Sequence, residues 1–372
     1  MNAESLIYQI GITMIPRIGS VNAKKLIAYC GGLEAVFKQS KQSLLKIPGF
    51  GEVLAAEISN QSVLDNAKRE VEFVDKHNIK AYFYLDSEYP ERLRHCDDCP
   101  IVLFVKSKED VPFNQQKVIS IVGTRSITDY GKEVCEEIVT TLVKRGHNPI
   151  VVSGLAYGVD VCAHKAALNN NVHTVAVLGH GFDRIYPAVH RGIAKDIYQT
   201  GALVTDFPSG TSFDRNNFIK RNRIIAGLSD ATIVIESAET GGSLITADIA
   251  QSYNRDVLAV PGAVGYKYSK GCNLLIKTSK AALVESALDV EYHLGWDAPS
   301  DLPKVSQQKL FPQLSNEEYK VLEVIKEHGQ EVIDVICFKT NMPSSKVSSI
   351  LLTLEFAGLV KCRPGKVFAL AR

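Results

Sequence analysis

The sequence predicts an α/β fold built around a Rossmann-like, doubly wound parallel sheet. From Lys117 onward, short apolar segments alternate with amphipathic ones, which is typical of parallel strands covered by helices on both faces. Before this region the chain has helical patterns broken by turns, and after it a second set of helical patterns follows a proline-rich stretch. We therefore expect a central sheet domain flanked by two smaller helical ones.

Length and composition limit the number of domains and the classes of function that the chain can have. The chain has 372 residues, a net charge of +1, 45% hydrophobic and 22% charged residues. This length predicts two or three domains, and the near-neutral charge means that any nucleic-acid binding must come from a local patch. No Lys or Arg precedes the apolar residues of the first sixteen positions, and no uncharged apolar run reaches membrane-spanning length. We expect a cytoplasmic protein that does not contact a membrane.

The eight cysteines are scattered through apolar or helical contexts, which favours buried thiols in a reducing compartment over a disulfide framework. Only Cys96 and Cys99 have C-x-x-C spacing. Because no second such pair completes a set of four ligands, we expect no metal site.

Residues 1–68 predict a helical domain of the helix-hairpin-helix or SAM-like kind, with similar turns at residues 15–26 and 47–58. In the second turn, Gly49 and Gly51 would let backbone N–H groups approach a phosphate at a helix N-terminus. Glu52 places a negative charge where DNA binding would favour a cation. We therefore favour a helical interaction module, with Gly49 and Gly51 as candidate secondary contacts to DNA or a partner.

The central domain is predicted at residues 80–290. Its lead-in, residues 81–106, predicts short strands around Tyr89-Pro90 and Cys99-Pro100. Helices with right-handed crossovers should connect the strands of the main sheet. Those strands are predicted at residues 117–122, 149–152, 172–178, 202–205, 231–236 and 256–260.

Glycine-rich segments follow four of these strands, at residues 123–125, 153–158, 179–181 and 239–243. Ligands of doubly wound sheets lie beyond the carboxyl ends of the strands, and helix N-termini there offer N–H donors to anions. Three cations, Lys220, Arg221 and Arg223, immediately precede an apolar helical segment and a buried strand. With Arg125 in the first glycine-rich turn, they predict one anion-binding rim.

The anion is not predicted to be a cofactor. No G-x-G-x-x-G and no Walker-type loop follows the first strand, so we expect no dinucleotide and no other cofactor. Asp160 and His164 are four residues apart on a predicted helix, but a cap contact or a packed histidine is favoured over an acid–base pair. His180 is the better catalytic candidate, although spacing fixes no Ser, Cys or carboxylate partner for it.

Residues 291–313 have the composition of a linker, and residues 314–372 predict a winged-helix domain. Helices are predicted at residues 316–328, 331–340 and 344–357, followed by a hairpin around Pro364-Gly365. Cations on the third helix and the wing are candidate DNA or partner contacts, namely Lys346, Lys361, Arg363 and Lys366. Glutamates elsewhere in the domain counter them, so duplex DNA contact and partner docking both stay open.

Six motifs occur in order along the central domain: SIVGTR (120–125), SGLAYGVDVCAH (153–164), VLGHGFDRIYP (177–187), FIKRNRIIAGLSD (218–230), GGSLITA (241–247) and AVPG (259–262). They resemble the DprA/Smf family of bacterial DNA-processing proteins, in detail over roughly residues 80 to 290. The resemblance implies a non-enzymatic protein that binds and protects incoming single-stranded DNA and loads the RecA recombinase onto it in natural transformation or related recombination. It also implies a homodimer through the Rossmann-like domain.

The resemblance also implies roles for individual residues. The positions that match DNA-contacting or DNA-framing cations are Arg125, Lys220, Arg221 and Arg223, and those that would supply backbone or hydroxyl donors are Gly123, Gly154, Gly242 and Ser243. Tyr157 and Ser126 stand where the family often has basic residues, so Tyr157 would either stack on a base or simply pack. For Arg221 and Arg223, the alternative is pairing with carboxylates such as Asp206, Asp214 or Asp230.

A rival from the enzyme class is a lysine-decarboxylase-like nucleoside-monophosphate phosphoribohydrolase, which has a related sheet. Its PGGxGT signature followed by a catalytic glutamate is absent here, although Glu236 and Glu239 lie near the corresponding segment. A scaffold that only docks proteins is the third hypothesis.

Overall fold

A computed structural model describes residues 3–60, 62–296, 314–363 and 367–370. The chain divides into two compact units, Met1–Pro299 and Ser300–Arg372. Most of the predicted linker, the turn at Pro364-Gly365 and Lys366 lie outside the described residues. Along the described segments, no helix combines the length and apolar composition needed to cross a membrane.

The first unit opens with a group of short helices that enclose their own apolar core, which includes Ile10, Leu26, Leu44 and Ile58. The core continues onto the first two strands of the sheet through residues such as Phe104, so the helices pack against that edge. These helices are α1 (Ala3–Met14), α2 (Ser20–Cys30), α3 (Leu33–Lys38), α4 (Lys41–Leu44), α5 (Glu52–Ile58) and α6 (Ser62–Lys76).

The sheet of the first unit has nine strands in the order β1-β2-β6-β5-β4-β3-β7-β8-β9. Neighbouring strands from β6 to β9 are parallel, whereas β1 and β2 add to the edge in antiparallel fashion. The strands are β1 (Lys80–Phe83), β2 (Val102–Lys106), β3 (Val118–Val122), β4 (Ile150–Ser153), β5 (Thr174–Val177), β6 (Ala202–Thr205), β7 (Ala231–Val234), β8 (Asp256–Ala259) and β9 (Ala282–Leu283). The predicted fold class is confirmed.

Helices cover both faces of this sheet. Along β3, Val118 and Val122 face one apolar core while Ile119 and Ile121 face the other, as the two-residue period of a strand requires. Burial on both faces explains why the strands appear in the sequence as continuous apolar runs. The helices are α7 (Glu91–Arg94), α8 (Asp129–Lys144), α9 (Val159–Asn169), α10 (Arg191–Thr200), α11 (Arg215–Leu228), α12 (Gly242–Ser252), α13 (Lys270–Lys277) and α14 (Ala287–Leu294).

The lead-in to the sheet differs from the prediction. Strands do not form around Tyr89-Pro90 and Cys99-Pro100 but on either side of them, as β1 and β2. Proline has no N–H to donate to a strand ladder, and Pro90 instead precedes α7. The buried Tyr89 hydroxyl donates to the Pro100 carbonyl at 2.9 Å and ties the two segments together.

The chain reverses direction across the sheet at β3. Strands β3 to β6 advance toward one edge, and the chain then returns through α11 so that β7 pairs with the other side of β3. Pairing continues past the strand ends, where Thr124 N–H donates to the Glu236 carbonyl at 2.7 Å. In doubly wound sheets the crevice at such a switch point is where ligands bind.

The second unit has three helices and a three-stranded sheet in the order β10-β12-β11, which is the predicted winged helix. Ser315 and Glu318 form a capping box at the start of its first helix. Val321, Ile325, Ile336 and Leu351 lie in its apolar core. Its elements are α15 (Asn316–His328), β10 (Gln330–Val332), α16 (Ile333–Thr340), α17 (Ser344–Phe356), β11 (Val360–Arg363) and β12 (Val367–Leu370).

Candidate nucleic-acid interface

The turn after β3 presents Arg125 to solvent. Gly123 precedes it at a point of close packing, where an added Cβ would lie 2.5 Å from Val159 Cγ2 and 2.8 Å from the Glu236 carbonyl oxygen. The turn therefore packs closely against the start of α9 and the segment after β7, and this position has room only for a glycine. Among the described residues, Arg125 has no ion pair and no side-chain hydrogen bond, so its guanidinium is available to an anion.

The basic residues of α11 separate onto different faces of the helix. Successive residues of an α-helix point about 100° apart, so Lys220, Arg221 and Arg223 cannot all face one groove. Lys220 is exposed and, within the described structure, makes no ion pair; it lines a cleft of about 740 Å³ between α11 and the N-terminal helices. Arg221 points into the protein. Of Lys220, Arg221 and Arg223, Lys220 is the exposed one.

The Arg221 side chain is only 5% exposed, so it stabilises the fold from inside and does not present its charge to solvent. Its Nη1 donates to the Gly154 carbonyl at 2.6 Å and also to the Val177 carbonyl. Burial lowers the pKa of Arg221 to about 10, while Asp160 opposes this and Arg125 adds to it. The predicted phosphate contact is corrected here, because the guanidinium holds together the ends of β4 and β5.

Arg223 is also committed to internal partners. Its guanidinium donates to the Asp98 carbonyl and forms an ion pair with Asp206, one of the carboxylates named as the alternative. Both side chains of this pair are largely buried. The phosphate contact predicted for Arg223 is therefore corrected in the same way.

The loop after β4 packs tightly on Arg221. An added Cβ at Gly154 would overlap the Arg221 guanidinium. Gly154 was predicted to donate its backbone N–H to a ligand, but in the structure its carbonyl accepts a hydrogen bond from Arg221. Gly158, with a φ of 76°, passes so close to Thr124 O and the Arg125 backbone that no side chain would fit. Between them, Tyr157 is 49% exposed, with its ring 5.0 Å from that of His190.

The fourth glycine-rich segment begins α12. Gly242 is exposed at the first position of this helix, and among the described residues no side chain caps that turn. Ser243 is buried, and its hydroxyl donates to Ser237 Oγ at 2.9 Å. The predicted hydroxyl donor is therefore used internally, and only backbone N–H groups remain as candidate donors at this position.

An aromatic cluster beside α11 was not predicted from the sequence. The rings of Tyr186, Phe213 and Phe218 lie 4.8 to 5.7 Å apart, and Phe218 packs over Gly179 in the loop after β5. Tyr186 is 44% and Phe213 51% exposed. The signal was present in the sequence, because each ring lies in or next to a recognised motif or glycine-containing loop.

The histidines at this edge are structural. His180 is buried, with Nδ1 donating to the Gly181 carbonyl at 2.8 Å and Nε2 accepting from Tyr186 N–H at 3.2 Å. His164 is buried beside Thr174, and burial lowers the pKa of His164 to about 3. Asp160 is also buried and accepts from Ala156 N–H at 3.2 Å, which is the favoured cap contact. Neither a general base nor a nucleophile emerges from these groups.

The two glutamates of the rival enzyme hypothesis lie in different surroundings. Glu236 is buried, and its two oxygens accept from the Thr128 backbone N–H at 2.8 Å and the Thr128 hydroxyl at 2.6 Å. The carboxylate thereby anchors the residue that caps the start of α8. Glu239 is exposed, with its carboxylate 3.9 Å from the Lys270 ammonium.

The candidate secondary contacts lie elsewhere. Gly49, with a φ of 92°, and Gly51 are exposed in the turn that starts α5. In the second unit, Lys346 is paired with Glu317, and Lys361 is exposed on the wing. The Arg363 side chain and Lys366 lie outside what the structure describes. All six remain predictions, and α17 also exposes Phe356 beside its polar face.

Two family models match the chain, one in each unit. The model of DNA recombination-mediator protein A matches residues 80–295, which include the whole Rossmann-like sheet and its carboxyl-edge loops. The DprA winged helix domain matches residues 308–366. The chain belongs to the DNA recombination-mediator protein A family.

Relatives and solved structures of this DprA family agree with the assignment. Protein Smf of Synechocystis sp. is 31% identical over 96% of this chain and 97% of its own length. The structure of DNA processing protein A from Streptococcus pneumoniae matches with a TM-score of 0.64 and 28% identity, over 77% of this chain and 97% of that one. The Helicobacter pylori protein, solved for its single-stranded DNA binding mode, matches with a TM-score of 0.51 and 25% identity, over 58% of this chain and 95% of that one.

Proposed function

We propose that the carboxyl edge of the sheet binds single-stranded DNA, with Arg125 and Lys220 on the phosphates. The proposal rests mainly on one observation: both cations are exposed and, among the described residues, lack internal partners. The neighbouring Arg221 and Arg223 instead make hydrogen bonds and an ion pair inside the protein. A folded chain with a net charge of +1 has no general attraction for polyanions, so exposed cations without internal partners beside the carboxyl edge of the sheet mark a local anion site. Binding in the related Helicobacter pylori protein supports the same ligand.

The bases would stack on the aromatic side chains of this edge. Single-strand binders combine a cationic path for the backbone with aromatic faces for the bases, and every base presents such a face. Tyr186 and Phe213 are half-exposed next to α11, which carries Lys220, and Tyr157 is half-exposed in the loop that contacts the Arg125 turn. In a duplex the base faces are hidden in the stack, so this arrangement favours a single strand.

The decisive experiment compares single- and double-stranded DNA by fluorescence anisotropy of labelled oligonucleotides at two salt concentrations. We expect tighter binding of oligo-dT than of a duplex of equal length, with a negative salt slope of about 0.7 per neutralised phosphate. Equal affinity for both forms, or binding without salt dependence, would contradict the proposal.

Removing the exposed aromatic faces should weaken single-strand binding without changing its salt dependence. For the double variant Tyr186→Ala, Phe213→Ala, we expect a loss of about 1 to 3 kcal/mol for each base that no longer stacks. The electrostatic part of binding should persist because both cations stay in place. Titrations of oligo-dT at several salt concentrations check this, with the exposed Tyr292→Ala on α14 as a matched control. A changed salt slope with unchanged affinity would argue against stacking.

The proposed wider role rests on the family to which the chain belongs. We propose that the protein acts in the cytoplasm as a binding protein rather than an enzyme, protects incoming single strands and loads RecA during natural transformation or recombination. Supporting this, Glu236 and His180 at this edge are occupied by structural hydrogen bonds. RecA filament assembly on strands coated with single-strand-binding protein tests the loading role, and no acceleration by this protein would refute it.

We also propose a homodimer formed through the Rossmann-like region. Strand β9 pairs only with β8 among the described strands, so its other edge is open. Leu283 on that strand and Leu274 and Leu288 on the adjoining helices are exposed apolar residues. Light scattering of the native chain and of Leu283→Arg measures the assembly, and a native monomer at micromolar concentration would disprove this dimer.

A further inference from the structure

A buried carboxylate of the N-terminal helices contacts the loop between β6 and α11. Glu70 lies on α6 and is only 6% exposed. Its two oxygens accept hydrogen bonds from a single residue of that loop, one from the Ser209 backbone N–H at 2.9 Å and one from the Ser209 hydroxyl. In the described part of the chain, no cation pairs with Glu70. A buried charge without a counter-ion is costly, so these two charge-assisted hydrogen bonds stabilise the carboxylate.

The contact is made at a turn just before an exposed ring of the aromatic cluster. Residues 208–211 form this turn, which is closed by Thr211 donating to the Pro208 carbonyl from its N–H at 3.3 Å and from its hydroxyl at 2.6 Å. Ser209 is a central residue of the 208–211 turn, and Phe213 follows two residues after it. The position of the Phe213 ring therefore depends on where this turn is held.

The 208–211 turn also joins the two loops that carry the exposed rings. Gly210 N–H donates at 3.2 Å to Asp183, which belongs to the loop after β5 that also carries Tyr186. In that loop, Gly181 packs so closely on the turn that an added Cβ would overlap the Pro208 carbonyl. The carboxylate on α6 thus anchors a turn that is shared by both aromatic loops.

We propose that Glu70 is a positioning residue through which the N-terminal helices hold the aromatic cluster in the geometry that stacks on DNA bases. The helical domain thereby contributes to single-stranded DNA binding without touching the strand. The helix α11 is held separately, by the internal contacts of Arg221 and Arg223. Release of the turn is therefore expected to displace the Phe213 ring and to leave Lys220 in place. This inference rests on the proposed function, in which the exposed rings stack on bases.

Oligo-dT titrations of the full chain carrying Glu70→Ala, followed by fluorescence anisotropy at several salt concentrations, test this role. We expect affinity to fall about threefold to tenfold, which is part of the stacking contribution of one base. The salt slope should stay unchanged because the phosphate-contacting cations remain. Glu70→Gln should restore most of the lost affinity, since its amide can accept from Ser209 N–H and donate to the Ser209 hydroxyl. The exposed Glu72→Ala on the same helix is the matched control and should bind as the native chain does.

A double-mutant cycle separates positioning of the rings from a general loss of structure. In the Tyr186→Ala, Phe213→Ala background, Glu70→Ala should cause no further loss of affinity, because the rings that it positions are absent. In the Arg125→Glu background, the same substitution should cause its full loss, because this cation acts on another part of the strand. Equal losses in both backgrounds, or native affinity in folded Glu70→Ala, would overturn the proposal.

Amide hydrogen exchange without DNA measures the contact directly. In Glu70→Ala, peptides covering residues 207–213 should exchange faster than in the native chain, and unchanged exchange would also overturn the proposal. Ser209→Ala removes the hydroxyl hydrogen bond from the loop side, so it should weaken oligo-dT binding in the same direction even if Glu70→Ala does not fold. Failure of the native chain to bind oligo-dT would instead refute the proposed function, since the exchange measurement does not depend on DNA.

Discussion

Replacing Arg125 or Lys220 with glutamate is expected to lower the affinity for oligo-dT by about ten- to a hundredfold. A charge-assisted hydrogen bond to an anion contributes about 1.5 to 3 kcal/mol, and each 1.4 kcal/mol is a factor of ten in affinity. Reversal of the charge adds repulsion from the same phosphate to that loss. Both side chains are exposed and, among the described residues, make no ion pair, so the melting temperature should change little.

Anisotropy titrations at several salt concentrations separate this effect from unfolding. Each substitution should reduce the magnitude of the salt slope by about 0.7 for every phosphate contact that is lost. Lys144→Glu is the matched control, because this exposed lysine ends α8 at the opposite edge of the sheet and should leave both affinity and slope unchanged. If a folded Arg125→Glu or Lys220→Glu variant binds as the native protein does, the assignment of that residue to the DNA-binding surface is wrong.

The sheet could be predicted from sequence because its strands are buried on both faces. Such strands form continuous apolar runs, and the six predicted ones overlap β3 to β8. Pairing between distant segments was harder to predict. Residues 331 and 332, expected to begin a helix, belong to β10 (Gln330–Val332) instead, because this strand pairs with β12 at the end of the chain. The prolines at positions 90 and 100 similarly displaced the strands expected around them.

The site was only partly predictable because exposure depends on partners that lie far away in the sequence. The segment from Lys220 to Arg223 shows three cations, but it does not show that Gly154 O and Val177 O converge on Arg221 from two strands. Pattern alone therefore assigned four cations to the anion, whereas two are exposed without internal partners in the described structure. The aromatic cluster was missed for the same reason, since its rings come from three separate segments.

Replacing Arg221 with alanine is expected to lower the free energy of unfolding of the first unit by about 3 to 5 kcal/mol, as is typical when one partner of a buried charge network is removed. The substitution leaves Asp160 buried without its counter-charge, and burial already raises the pKa of that carboxyl. It also frees the Gly154 and Val177 carbonyls that the guanidinium holds together. Urea unfolding followed by the fluorescence of Trp296, the single tryptophan and a residue of the core of this unit, measures the change.

Lys220→Ala is the matched comparison for Arg221→Ala. The first substitution is expected to affect DNA binding and not stability, and the second to affect stability and not the salt dependence of binding. Lys220→Ala should change stability by less than about 0.5 kcal/mol, as exposed substitutions do, while weakening oligo-dT binding. Arg221→Ala should unfold more easily, yet at low temperature, where it remains folded, it should keep the native salt slope of binding because its guanidinium is not on a phosphate. A reduced salt slope of oligo-dT binding in folded Arg221→Ala, with little loss of stability, would instead show that Arg221 contacts a DNA phosphate, as a third cation beside Arg125 and Lys220.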